Sequence, residues 1–164
     1  ENLSSRSFKG PFIGWKSHAQ VNDLLSLSRR DKTCFTGAAK AWKKALSQAE
    51  MKLENLDFVE THDCFTIAEL LEYEAMGLAE QGKGAQVIEE GMTTKDGSLP
   101  VNPSGGLKSK GHPIGATGVS MHVMAAMQLS GEAQGMQIEN SVTGAVFNMG
   151  GAAVANYVSI LETR

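Results

Sequence analysis

The chain has 164 residues, 41% of them apolar, which suits one domain with a buried core and leaves too little length for two. Its formal net charge of −3 comes from acids and bases scattered along the sequence, which excludes a basic nucleic-acid stripe and a polyacidic tail. No apolar stretch approaches the roughly 20 residues of a membrane span, and residues 1–10 lack the apolar core of a signal peptide, so a soluble, cytoplasmic protein is expected. Cys34 and Cys64 show neither metal-ligand spacing nor the density of a disulfide scaffold, so reduced thiols and no metal site are expected. The first residue is Glu1 rather than methionine, and a piece of a longer chain is the expectation.

Residues 11–15 have the composition of a short strand, and residues 16–33 read as a polar connecting loop, so residues 1–35 are expected to connect and residues 36–164 to form the core. From Thr36 a helical period runs through Ala38, Ala41, Trp42, Ala45, Leu46, Ala49 and Leu53. Residues 56–61 predict a strand, after which Ile67, Leu70, Leu71 and Ala75 restart the helical period until Gly77 caps it. That places His62 to Phe65 at a strand-to-helix junction. Residues 79–111 are glycine-dense, carry Pro100 and Pro103, and show no sustained period, as a functional excursion would. A third helix is predicted from about Gly115 to Ser130, with Val119, Val123, Ala126 and Met127 on one face and Gly131 past its end. Residues 142–147 and 152–161 then predict a hairpin around Asn148-Met149-Gly150-Gly151. The expected fold is an α/β layered domain with a mixed sheet, helices on its faces and a C-terminal β-hairpin.

Three segments at element boundaries concentrate residues able to do chemistry. In the first, residues 102–118, glycines precede a helix, so backbone N–H groups and the helix dipole favour an anion, and His112 before Pro113 is placed to act as a base or oxyanion donor. A glycine-rich turn with a surface histidine explains the same residues equally well. In the second, His62-Asp63-Cys64-Phe65, a thiol at a helix start near imidazoles is expected to have a lowered pKa; a small buried hydrophobe is the commoner fate of a free cysteine. In the third, residues 147–152, a glycine N–H can point into a site, as can happen in any tight hairpin.

Taken together, these blocks resemble a known family. Gly111-His112-Pro113-Ile114-Gly115-Ala116-Thr117-Gly118 is similar to the glycine-histidine-proline block of thiolases, and His62-Asp63-Cys64-Phe65 matches the upstream block of the sterol-carrier-protein-2 type. Both stand in the expected order before the final hairpin, and the likeness spans about residues 36–161.

The resemblance implies a thiolase C-terminal domain of the acetyl-CoA acetyltransferase kind, cleaving 3-ketoacyl-CoA with CoA or condensing acyl-CoAs. It gives His112 the tasks of activating a nucleophilic cysteine and binding the enolate oxygen. His62 takes the position where most thiolases carry an asparagine that holds a water, and the Gly150 N–H contributes to a second oxyanion hole. Classical thiolases place an acid/base cysteine where this chain has Asn148, and in the resembled subtype that duty passes to Cys64. The cysteine that becomes acylated belongs to the family's N-terminal half, absent here, so this chain alone is expected to be inactive. Coenzyme A thioesters are the implied substrates, with no metal or redox cofactor, no assigned CoA-binding residue, and a homo-oligomer for the whole enzyme. Two other readings stand beside this one: a non-catalytic thiolase-like subunit completing a partner's site, and a phosphate- or nucleotide-binding module, which lacks the Lys-Ser/Thr ending of a P-loop.

Overall fold

The computed structural model describes residues 10–164; the polar start read over residues 1–9 lies outside them. A four-stranded mixed sheet organises the chain. Strand β1 (Ile13–Asn22) runs antiparallel to β4 (Ala155–Thr163), β4 antiparallel to β3 (Thr143–Gly150), and β3 parallel to β2 (Phe58–Glu60), giving the order β1-β4-β3-β2. The parallel pair requires a long crossover, and everything between residues 61 and 142 supplies it.

The loop expected over residues 16–33 is corrected: β1 continues through Asn22 and forms an edge of the sheet. Its alternation is real but faint, because the inward positions are the small Ser17, Ala19 and Val21, and a bulge between Trp15 and Ser17 shifts the phase. Residues in the connecting segment thus belong to the sheet.

Helices cover both faces. On one, α1 (Thr36–Ala49) presents Ala38, Ala41, Trp42 and Ala45 to Ala19, Val158, Ile160, Ala145 and Phe147, and α2 (Thr66–Met76) extends the same core. Helix α1 stops at Ala49 because Glu50 turns left-handed, so Leu53 falls in a separate short turn. On the other face α5 (Thr117–Ser130) places Met121, Ala125 and Leu129 over Phe58, Val146 and Leu161. The period-2 alternation of β3 serves the two layers in turn, Ala145 and Phe147 toward α1 and Val146 toward α5.

The stripe that begins with Val119 and Val123 on α5 is not the one that packs on the sheet. Val119 and Val123 are 67% and 48% exposed, and the buried stripe is Thr117, Met121, Ala125, Gln128 and Leu129. Both sides of this helix are apolar, so periodicity does not say which one meets the sheet.

The excursion over residues 79–111 holds two short helices, α3 (Gly84–Glu89) and α4 (Gly106–Lys110). Between them residues 100–102 run beside β2, with Val59 N–H donating to Pro100 O at 2.9 Å and Asn102 N–H to Val59 O at 2.7 Å. The hairpin also differs from expectation. Strand β3 persists through Gly150, and the turn is made by Gly151, Ala152 and Ala153, all at positive φ. Two alanines in that region are costly, but Ala153 is fully buried and both carbonyls are held, Ala152 O by Arg30 at 2.9 Å and Ala153 O by Asn156 Nδ2 at 2.9 Å. Asn148 and Gly150 consequently sit on a rigid strand end.

Candidate active site

A cavity of about 890 Å³ opens where the β2–α2 junction, the loop before α5 and the end of β3 meet, and His62, Cys64, His112 and Gly150 all line it. The positions run from 62 to 150, so only the fold brings them together. Its mouth carries exposed apolar side chains: Phe65 at 71%, Ile114 at 104% and Val119 at 67% exposure. These join the uncovered side of α5.

His62 and His112 stand edge to face, 4.8 Å between ring centroids. Hydrogen bonding sets the proton on each ring. Asn148 Oδ1 lies 2.6 Å from His62 Nδ1 and can only accept, so His62 carries its proton on Nδ1 and presents the Nε2 lone pair. Thr117 gives its single hydroxyl proton to Pro113 O at 3.0 Å and therefore accepts from His112 Nδ1 at 2.7 Å, which leaves His112 Nε2 free as a base. Burial holds the His62 pKa below 6.5; the bond to Asn148 pulls upward, while the charges of His112 and Lys110 work against a second proton. Helix α5 approaches Asn148 closely, since a Cβ on Gly118 would lie 2.8 Å from Asn148 Nδ2.

Cys64 is half-buried, and its thiol pKa is raised above 9.0 by burial first and by the neighbouring Glu72 second. This reverses the lowered value expected from a helix start near imidazoles. Cys64 precedes α2 by two residues, and burial, with the Glu72 carboxyl group second, outweighs the backbone hydrogen bonds that favour the thiolate. Glu72 is itself fully buried, accepts a hydrogen bond from the Thr61 hydroxyl on Oε2, leaves Oε1 unpartnered, and has its pKa pushed well above 4.5 by burial.

Gly150 ends β3 at the cavity wall, exposed, with open space around its Cα. Cys34 lies elsewhere, near Thr36 at 3.5 Å, and does not line the cavity. Among the described residues no group of three or more histidines, cysteines and acids could hold a metal ion. The glycine-rich N-terminus of α4 is already occupied by the chain's own anion: Leu107 N–H donates to Asp63 Oδ1 at 2.8 Å, which argues against a phosphate there. In the sequence Asn148 stands out only as a departure from the family, and Thr117 does not stand out as a functional residue. Neither carries a local signal, because each matters through a ring that the fold brings to it.

The residues from 19 to 163 match the family described as Thiolase C-terminal domain-like. The acetyl-CoA acetyltransferase of Methanothermobacter thermautotrophicus is 42% identical over 148 residues, covering 90% of this chain and 39% of that protein. Sterol carrier protein 2 of Oryctolagus cuniculus is 40% identical over 122 residues, 73% of this chain and 22% of that protein. A solved structure described as an Ltp2-ChsH2(DUF35) aldolase superposes with a TM-score of 0.84 at 18% identity, over 99% of this chain and 42% of that one. The chain thus spans two fifths or less of the relatives it matches. No helix among the described residues is long and apolar enough to cross a membrane. By family match and relatives alike, the chain belongs to the thiolase C-terminal domain-like family.

Proposed function

We propose that this chain supplies the histidine-bearing half of an acyl-CoA acyltransferase site, which cleaves 3-ketoacyl-CoA with CoA or runs the reverse condensation. One observation carries the reading: His62, Cys64, His112 and Gly150 line a single cavity although nothing local requires them to meet. A cysteine thiolate from the other half of the enzyme attacks the keto carbon after giving its proton to His112 Nε2. The carbon–carbon bond breaks, and the enolate left on the departing thioester takes the proton of Cys64, whose raised pKa keeps it a thiol at neutral pH. The Cys64 thiolate then takes the proton of the incoming CoA thiol, which attacks the acyl-cysteine and leaves as the new thioester, while the expelled cysteine thiolate regains the proton held on His112. His112, once protonated, faces the developing enolate oxygen, His62, whose Nε2 accepts, holds a water that donates to that oxygen, and the Gly150 N–H serves the oxyanion of acyl transfer. Cysteine and histidine perform every step, with CoA thioesters as substrates and no further cofactor. The exposed Phe65, Ile114 and Val119 at the cavity mouth support a wall completed by a further polypeptide segment or a neighbouring subunit.

Acetoacetyl-CoA thiolysis tests this directly. The 164-residue chain alone should show none, whereas an enzyme joining it to a cysteine-bearing thiolase half should turn over, and His112→Ala in that enzyme should lower kcat by about a hundredfold or more. Robust thiolysis by the chain alone, or a near-normal kcat for His112→Ala, would overturn the assignment.

A further inference from the structure

His62 and His112 come from different segments, and a buried polar cluster ties those segments together. Glu60, two positions before His62, is fully buried, and its Oε2 lies 3.0 Å from Nζ of Lys110, two positions before His112, whose side chain is only 9% exposed. The Ser104 hydroxyl donates to the same Oε2 at 2.6 Å and accepts from Lys110 Nζ at 3.1 Å, while Ser104 N–H donates to Glu60 Oε1 at 3.2 Å. On the other side of His62, Asp63 grips α4 through Leu107 N–H, so tightly that a Cβ on Gly106 would come within 2.1 Å of Asp63 Oδ2. His62 is therefore bracketed by two carboxylates, each anchored on the loop that delivers His112. Glu60, Ser104 and Lys110 do not line the cavity, so they stand behind the imidazoles and out of reach of a substrate.

We propose that the Glu60–Lys110–Ser104 cluster is the positioning device that sets the separation and orientation of the His62–His112 pair, an inference that rests on reading those two imidazoles as catalytic. Buried ion pairs contribute little net stability compared with apolar packing of the same volume, so stability alone gives a weak reason for one here. Geometry gives a stronger one: two segments meeting beside an open cavity need a directional link, and charge-assisted hydrogen bonds supply it. The cluster also has an electrostatic reach. The charges facing His62 are Lys110 and His112, which disfavour a proton, and Asp63, which favours one; Cys64 and the buried Glu72 lie behind the same segment.

The test uses the 164-residue chain and NMR of its histidine rings. The paired variant Glu60→Gln/Lys110→Met removes both charges at nearly constant volume. It should stay folded, with a weakened ring-to-ring Overhauser contact between His62 and His112. A folded paired variant with an unchanged contact overturns the proposal. Should that variant fail to fold, Ser104→Ala carries the test, since it too must weaken the ring-to-ring contact and an unchanged contact is again fatal. These readouts need no thiolase activity, so they stand or fall separately from the thiolysis experiment. In the joined enzyme the paired variant should lower kcat about tenfold with KM changed less than twofold, as a small displacement of catalytic groups does, and Lys110→Arg should recover part of the loss.

Discussion

The two faces of the sheet contrast sharply. The α1 face is closed: Trp42 is 1% exposed and its ring lies 6.1 Å from that of the fully buried Phe147, amid a continuous apolar cluster. The α5 face is half-finished, with a small inner cluster around Met121 and an outer stripe, Val119 and Val123, left in solvent beside the cavity. One face is sealed by its helices, whereas the other leaves an apolar stripe open beside the cavity that His62, Cys64 and His112 line. Helix α5 is apolar on both sides, and none of the described residues covers its outer stripe.

The strongest way to probe that contrast is to open the closed face. Trp42→Ala should destabilise by about 3–5 kcal/mol in denaturant unfolding, since it empties a packed site between α1 and β3; a loss below 1 kcal/mol would mean that this core is looser than its burial indicates. Next in size is the buried carboxyl under the site. Because the folded-state pKa of Glu72 is raised above 4.5, the wild type should lose stability relative to Glu72→Gln as pH climbs from 4.5 through the folded-state value. The slope should approach about 1.4 kcal/mol per pH unit, and parallel urea midpoints for the two proteins between pH 4 and 8 would refute it.

His62 should act in the opposite direction and more weakly. Its folded-state pKa lies below 6.5, so the unfolded chain binds the proton more readily and the wild type should weaken as pH falls from 6.5 toward the folded-state value. His62→Gln should remove that portion of the acid sensitivity, and a variant that loses stability in step with the wild type below pH 6.5 would show that the ring titrates alike in both states. The smallest effect belongs to the open face. Val119→Ser should change the stability of this chain by no more than about 0.5 kcal/mol, because Val119 is mostly in solvent. A larger loss would show that the stripe is already covered, most simply by a second copy, and the concentration dependence of unfolding would reveal it.

Much of the fold was legible in the residues. Helix α1, the β2-to-α2 junction, α5 and the closing hairpin follow from period, cap and turn chemistry, because these are local couplings between neighbours along the chain. The legible part of the site was its residue types: an imidazole before a proline in a glycine-rich loop, and a thiol beside another imidazole at a strand end. Less visible was β1, whose inward side chains are too small to mark a period. The extent of β3 was hidden as well, since two alanines adopt the left-handed turn that glycine composition had placed three residues earlier.

Sequence by itself determined the main helices, the β2-to-α2 junction, the presence of a closing hairpin, the family and the candidate groups, because hydrophobic period and ordered motif blocks are written along the chain. Tertiary structure alone decided which side of α5 meets the sheet, that Asn148 and Thr117 set the proton on each histidine, and that burial beside Glu72 raises the Cys64 pKa. Those properties depend on distances between residues remote in sequence and on the loss of water around them, and neither exists until the layers pack.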